Sequence, residues 1–73
     1  MFILNRERNR CVEIKEVSYK EEAENYFFLK INGETFEIFA NSQKGLQVFQ
    51  EIINEIDDNV KLYKIPYEFE VLI

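Results

Sequence analysis

The sequence predicts an α+β fold, in which an antiparallel sheet of four to six strands packs against one α-helix in the order ββββ-α-β(β). Two observations lead to this prediction. Residues 25–39 form two runs of aromatic and branched side chains around the pair Asn32-Gly33, and residues 42–57 change to a helical spacing of apolar side chains. Because 73 residues suffice for one small domain only, we expect residues 1–73 to form a single α+β domain.

The N-terminal part of the chain predicts two strands. Residues 1–4 are apolar and residues 5–9 are polar, which is typical of a short strand followed by a turn. Residues 10–19 form the next predicted strand, but the alternation of apolar side chains slips at Lys15-Glu16, which indicates a bulge or a bend. The charged residues 20–24 are predicted to connect this strand to the next one.

A β-hairpin is the clearest local prediction. Asn-Gly is the preferred pair for a two-residue type I′ turn, and such a turn fixes the register of the strands. One face is then predicted to hold the pairs Ile31/Glu34, Leu29/Phe36 and Phe27/Ile38. The other face is predicted to hold the pairs Lys30/Thr35, Phe28/Glu37 and Tyr26/Phe39. This second face carries three aromatic residues near the open end of the hairpin.

A helix is predicted from Ser42 to Asp57, with Asn41 or Ser42 as its N-cap. Its apolar side chains fall in one stripe at about 3.6 residues per turn, which we expect to face the sheet. The stripe consists of Leu46, Phe49, Ile52, Ile53 and Ile56. Gly45 lies in the first turn, where we expect it to weaken the helix slightly.

The C-terminal residues leave two arrangements open. Residues 60–63 are compatible with a short strand, and Pro66 marks an edge or a break because proline cannot donate to a strand ladder. Residues 67–73 alternate in the manner of a final strand. This segment either folds back over the second face of the hairpin or leaves that face exposed.

The composition argues against several classes of function. The chain has no histidine, two glycines and one cysteine, Cys11, so the usual general base, a phosphate-binding glycine loop and a cysteine zinc cluster are absent. The net charge of −5 argues against direct binding to nucleic acid, and no apolar run approaches the ~20 residues of a membrane helix. We expect no cofactor, no metal and no enzymatic activity, with Cys11 as a small core residue.

The same features predict where the protein resides. A lone thiol is typical of a reducing compartment. The chain opens with four apolar residues and then turns polar, so the sequence predicts no secretory signal peptide. We therefore expect a cytoplasmic protein.

Two surfaces are candidates for binding another protein. The first is the aromatic face of the hairpin, Tyr26, Phe28 and Phe39, because one helix cannot cover both faces of a sheet and an exposed aromatic patch favours a partner. The second is an acidic helix stripe, Glu51, Glu55 and Asp58, which lie within about 60° of one another around the helix axis. Each surface has a simpler interpretation. The aromatic face is then covered by the C-terminal segment, and the acidic helix stripe is then an ordinary solvated helix surface.

The charges of the helix are arranged against its macrodipole. Asp57 and Asp58 place negative charge at the C-terminal end, and Lys44 places positive charge in the first turn. The macrodipole disfavours both. Because nothing visible compensates for these unfavourable charges, they favour a functional role for the acidic helix stripe. Arg6, Arg8 and Arg10 form a third, basic cluster, which is suited to a phosphate or an acidic partner if the segment is extended, and to a solvated turn otherwise.

The junction between hairpin and helix, Phe39-Ala40-Asn41-Ser42-Gln43-Lys44-Gly45-Leu46-Gln47-Val48-Phe49-Gln50-Glu51-Ile52, resembles a pattern in small, mostly uncharacterised proteins of Gram-positive bacteria and their phages. Those proteins open with a short strand and a polar turn and continue through a strand meander into one helix. The resemblance covers residues 1–56, departs from the pattern at Gly45, and implies a fold and a phage or mobile-element context. It carries over no functional residue.

We therefore expect a small protein-interaction module without enzymatic activity that binds a protein partner and self-associates, as a homodimer or larger homo-oligomer, through its aromatic face or an edge strand. The alternative is an acidic inhibitor that occupies the nucleic-acid groove of a host defence nuclease with Glu51, Glu55 and Asp58.

Overall fold

The computed structural model describes residues 1–22 and 25–66. Within them the chain is α+β, with one helix and two three-stranded sheets, so the prediction of one four- to six-stranded sheet is wrong. The elements are β1 (Phe2–Leu4), β2 (Cys11–Glu13), β3 (Val17–Glu22), β4 (Tyr26–Ile31), β5 (Glu34–Phe39), α1 (Ser42–Asp57) and β6 (Leu62–Lys64). The final strand predicted at 67–73 lies outside the described residues.

The two sheets differ in topology. The first has the strand order β2-β1-β6, in which β1 is antiparallel to β2 and parallel to β6. The second has the order β3-β4-β5 and is antiparallel throughout. The slip in alternation at Lys15-Glu16 is a bend, one of the two predicted alternatives, and here the chain leaves the first sheet and enters the second. The single strand predicted at 10–19 is wrong, because the bend divides it into β2 and β3.

The side chain of Asn32 stabilises the segment in which the chain passes from the first sheet to the second. Its carbonyl oxygen accepts hydrogen bonds from the backbone N–H groups of Lys15, at 2.7 Å, and Glu16, at 3.0 Å. Its amide nitrogen donates to the backbone oxygen of Glu13 at 2.8 Å. The hairpin turn of the second sheet is thus bonded to the end of β2 in the first. The following strand, β3, continues to Glu22, so the charged connection predicted at 20–24 begins too early.

The hairpin turn is confirmed, but the register beyond it is not. Asn32 and Gly33 have φ values of 55° and 84°, as a type I′ turn requires. The pairs Ile31/Glu34 and Lys30/Thr35 form as predicted. The register then shifts between Leu29 and Lys30, and the pairs become Leu29/Glu37, Phe28/Ile38 and Phe27/Phe39. One extra residue in β5 moves every later side chain of that strand to the opposite face.

The helix spans Ser42–Asp57, as predicted, and both of its ends are capped. The side-chain oxygen of Asn41 accepts from the backbone N–H of Gln43 at 2.8 Å and of Lys44 at 3.2 Å, so Asn41 is the N-cap. At the C-terminal end Asn59 adopts φ 63°. Its N–H donates to Ile56, and the N–H of Val60 donates to Glu55, which is the bonding of a Schellman motif.

One hydrophobic core joins both sheets to the helix. It consists of Ile3, Phe27, Leu29, Ile31, Phe36, Phe39, Val48, Ile52, Tyr63 and Ile65. The helix packs mainly on β4 and also touches β5 and β3. Its buried residues are Gly45, Val48 and Ile52, which follow one another at the three- and four-residue intervals of a single helix face.

Gly45 lets the helix approach the sheet closely. A Cβ atom at this position would lie 2.7 Å from the Cβ of Phe27 and closer still to its ring. Phe27 is fully buried and its ring is held by contacts with Tyr19 and Phe39, so it has little room to move away. The helix backbone therefore lies directly against the Phe27 ring, and glycine is the residue that this contact requires.

We predict that Gly45→Ala destabilises the protein by about 1–3 kcal/mol, because the added methyl overpacks the contact with Phe27. In an exposed helical position the same change would be stabilising by about 1 kcal/mol, so the two expectations differ in sign. Urea denaturation measures the difference, with Gln47→Ala on the exposed side of α1 as the matched control. An alanine variant as stable as the wild type would contradict the close contact.

Candidate functional site

The largest departure from the predicted helix packing is an apolar surface on α1. We call Leu46, Phe49, Ile53 and Ile56 the apolar seam. The sequence predicts that all four face the sheet together with Ile52, but Leu46 and Ile53 are each 38% exposed and Ile56 is 42% exposed. The helix is rotated because Gly45, rather than a large side chain, lies against the sheet. The spacing Gly45, Val48, Ile52 is the sequence signal that identifies the true buried face.

The apolar seam continues onto the second sheet at Tyr19. This side chain is 40% exposed, although it stacks on Phe27 with ring centroids 4.8 Å apart. Its ring also makes an edge contact with Phe49 at a centroid distance of 4.8 Å. Phe49 is partly buried against the core. The seam is therefore anchored on its inner side by fixed aromatic rings and open to solvent on its outer side.

The predicted aromatic face is only partly present. Tyr26 and Phe28 lie on the outer face of the second sheet, where both are half-buried. Phe39 is fully buried and contacts Phe27 in the core, so its assignment to the outer face is wrong. The cause is the register shift at Leu29/Lys30, which turns Phe39 inward. Ile38 takes the position beside Phe28 instead.

The acidic helix stripe is divided by the structure. Glu51 and Glu55 are half-buried and, with Asn54 and Tyr63, line an open concavity of about 320 Å³ between the helix and β6. The hydroxyl of Tyr63 donates to Glu51 at 2.7 Å. Asp58 is exposed and is the C-cap residue of α1. Two of the three predicted residues therefore share a concave surface, and Glu51 also has a structural role.

The three arginines make different contacts. The backbone N–H of Arg6 donates to the Glu37 carboxylate at 2.8 Å. The Arg8 guanidinium donates to the backbone oxygens of Asn5 and Ile65, which ties the turn after β1 to the residue after β6. Arg10 lies over the Phe36 ring at 5.1 Å. These contacts favour a stabilised turn over a phosphate site, because residues 5–9 are not extended.

Glu37 is the acidic side chain that the fold buries. It is 9% exposed on the inner face of β5, and burial raises its pKa above the ordinary value of 4.5. The hydrogen bond from the Arg6 N–H and the charges of Arg6 and Arg10 act in the opposite direction but are smaller, while Glu7 adds to the increase. The folded state therefore binds this proton more tightly than the unfolded chain does.

We predict that Glu37→Gln stabilises the protein relative to the wild type more strongly at about pH 7 than at about pH 4. Since the folded pKa of Glu37 is raised, its burial costs nothing below the unfolded pKa, and the cost appears as the pH rises through the folded pKa. Glutamine keeps the acceptor for the Arg6 N–H and cannot ionise. Urea denaturation of both proteins across this range measures the difference, and a difference that shrinks with increasing pH contradicts the assignment.

Side chains that bind metal ions are not clustered in the part of the chain that the structure describes. Cys11 is exposed on β2, so the interpretation of Cys11 as a core residue is wrong. Among residues 1–22 and 25–66, no three acidic, cysteine or histidine side chains are placed to hold a metal ion. Over the same residues, no helix is long and apolar enough to cross a membrane.

Comparison of the chain with protein-family models, with curated proteins and with solved structures finds no match. The resemblance of residues 1–56 to small proteins of Gram-positive bacteria and phages therefore stays a prediction. The candidate functional surface is defined by the geometry of the chain itself, namely the apolar seam of α1 with Tyr19 at its border.

Proposed function

We propose that this chain is a small protein-interaction module, which acts by burying the apolar seam of α1 against another protein chain. The exposure of Leu46, Ile53 and Ile56 in one line supports the proposal. Single exposed apolar side chains are ordinary on a protein surface, but a continuous row on a helix is typical of a binding site. Helices of this kind bind with anchors three and four residues apart, as Leu46, Phe49 and Ile53 are.

The seam also has the layered structure of a protein interface. Phe49 is partly buried and contacts Tyr19, so a fixed aromatic pair lines the inner border of the seam. Its apolar centre is formed by Leu46, Ile53 and Ile56. Gln43 and Gln50 lie on the outer border, where polar side chains remain in contact with water. An apolar centre with a polar rim is the usual anatomy of a specific interface. This surface replaces the aromatic face of the hairpin, which loses Phe39 to the core.

A second candidate function uses the acidic concavity. Glu51 and Glu55 line it together, and the whole chain has a net charge of −5. A basic groove on a partner, including one that normally holds nucleic acid, complements such a surface by charge. This is the acidic inhibitor expected from the sequence, and it requires a different side of α1 from the apolar seam.

Photo-crosslinking distinguishes the two surfaces. We predict that a benzoylphenylalanine at Ile53 forms a discrete covalent adduct with a protein in the cells that produce the chain, while the same group at Asn54 does not. The two positions are consecutive and exposed, but their side chains point about 100° apart, toward the seam and the concavity respectively.

The two positions give opposite outcomes for the two candidates. Adducts from position 53 alone support the proposal. Adducts from position 54 alone overturn it and support the acidic inhibitor. No adduct from position 53 overturns the proposal whatever position 54 gives, because a buried seam must place its partner within reach of that side chain.

A further inference from the structure

We propose that the partner of the apolar seam is a second copy of this chain, with the two α1 helices packed antiparallel about a twofold axis at the level of Glu51. This inference rests on the proposed function and names its partner. It follows from the spacing of the seam, from the charges around it and from the charges at the helix ends.

The spacing of the seam is the same in both directions. Leu46, Phe49, Ile53 and Ile56 are separated by three, four and three residues, which is the spacing of the core positions in a coiled coil. An antiparallel copy therefore presents the same row in reverse. Leu46 then lies opposite Ile56 of the other copy, and Phe49 lies opposite Ile53. A surface that is complementary to itself in this way is what a twofold dimer requires.

The seam is the surface of α1 at which two copies of this acidic chain repel one another least. Each chain has a net charge of −5, so two copies repel one another across most of their surfaces. The seam itself is uncharged. Its outer border on the helix is formed by Gln43, Gln50 and Asp57, which recur every seven residues, and Asp57 is the one charged side chain among them.

The charges at the helix ends select the antiparallel orientation. Lys44 is the one cationic residue of α1 and lies in the first turn, while Asp57 and Asp58 lie at the C-terminal end. Within one chain these charges oppose the helix macrodipole. Lys44 and Asp58 lie on the side of α1 opposite the seam, whereas Asp57 lies on its outer border. In an antiparallel pair, Asp57 lies beside the N-terminal end of the other helix, where the macrodipole favours a negative charge. A charge that is unfavourable within one copy thus becomes favourable between two.

Sedimentation of the full chain tests the dimer. We expect the wild type to dimerise and Ile53→Lys to weaken the dimer at least tenfold. The matched control is Leu62→Lys, since Leu62 is 41% exposed on β6 and lies outside the seam; it is expected to leave dimerisation unchanged. Circular dichroism verifies that both variants are folded. A wild type that stays monomeric at all concentrations overturns the inference, whether the seam is then covered by residues 67–73 or by another protein.

Crosslinking by a short bismaleimide tests the orientation without disturbing the seam. In a Cys11→Ser background, the two copies of Gln50→Cys lie close to the twofold axis and are expected to crosslink. The two copies of Gln43→Cys are then about 24 Å apart along the helix axes and are expected not to, given a rise of about 1.5 Å per residue. A parallel pair would crosslink at both positions, and that result overturns the antiparallel arrangement.

These results separate the inference from the proposed function. A monomeric chain whose Ile53 position crosslinks to a different protein in cells contradicts the second copy and keeps the interaction module. If position 53 forms no adduct at all, both the dimer and the proposed interaction module are contradicted.

Discussion

The contact between Gly45 and Phe27 determines how the rest of the molecule is arranged. A glycine in the first turn allows the helix backbone to lie against a fully buried aromatic ring, where even one methyl group would overlap with it. The helix is thereby fixed in rotation, with Val48 and Ile52 following Gly45 into the core. A single small residue at the start of α1 thus decides which of two apolar rows the protein buries.

The exposed row follows directly from that choice. An apolar stripe that includes both Ile52 and Ile53 is too wide for the contact area that one helix offers a three-stranded sheet, so part of it stays in solvent. Burying exposed apolar surface is favourable by roughly 25 cal/mol per Å², and a domain of this size has few other ways to gain stability. The proposed binding surface is thus a consequence of how the fold buries α1.

Local signals in the sequence predicted the local structure well. The Asn32-Gly33 turn, the N-cap at Asn41 and the bounds of α1 are each determined by a few neighbouring residues, and all are confirmed. The failures involve contacts between distant residues. The bulge beside Leu29 reversed the side of Phe39, and the parallel pairing of β1 with β6 joins strands that are far apart in the sequence, which alternation alone cannot reveal. For the candidate site, the sequence predicted the aromatic face and the acidic helix stripe and assigned the residues of the apolar seam to the core. The rotation of α1 was missed because Gly45 was interpreted by its helix propensity rather than by its size.

The contact between Gly45 and Phe27 is tested most directly by the nuclear Overhauser effect between the Gly45 Hα protons and the ring protons of Phe27 in the folded protein. We expect strong cross-peaks between them, with the Gly45 Hα resonances displaced by the ring current, and no cross-peaks between Ile53 and Phe27. Cross-peaks from Ile53 to Phe27 with none from Gly45 would place the helix in the other rotation and contradict this contact.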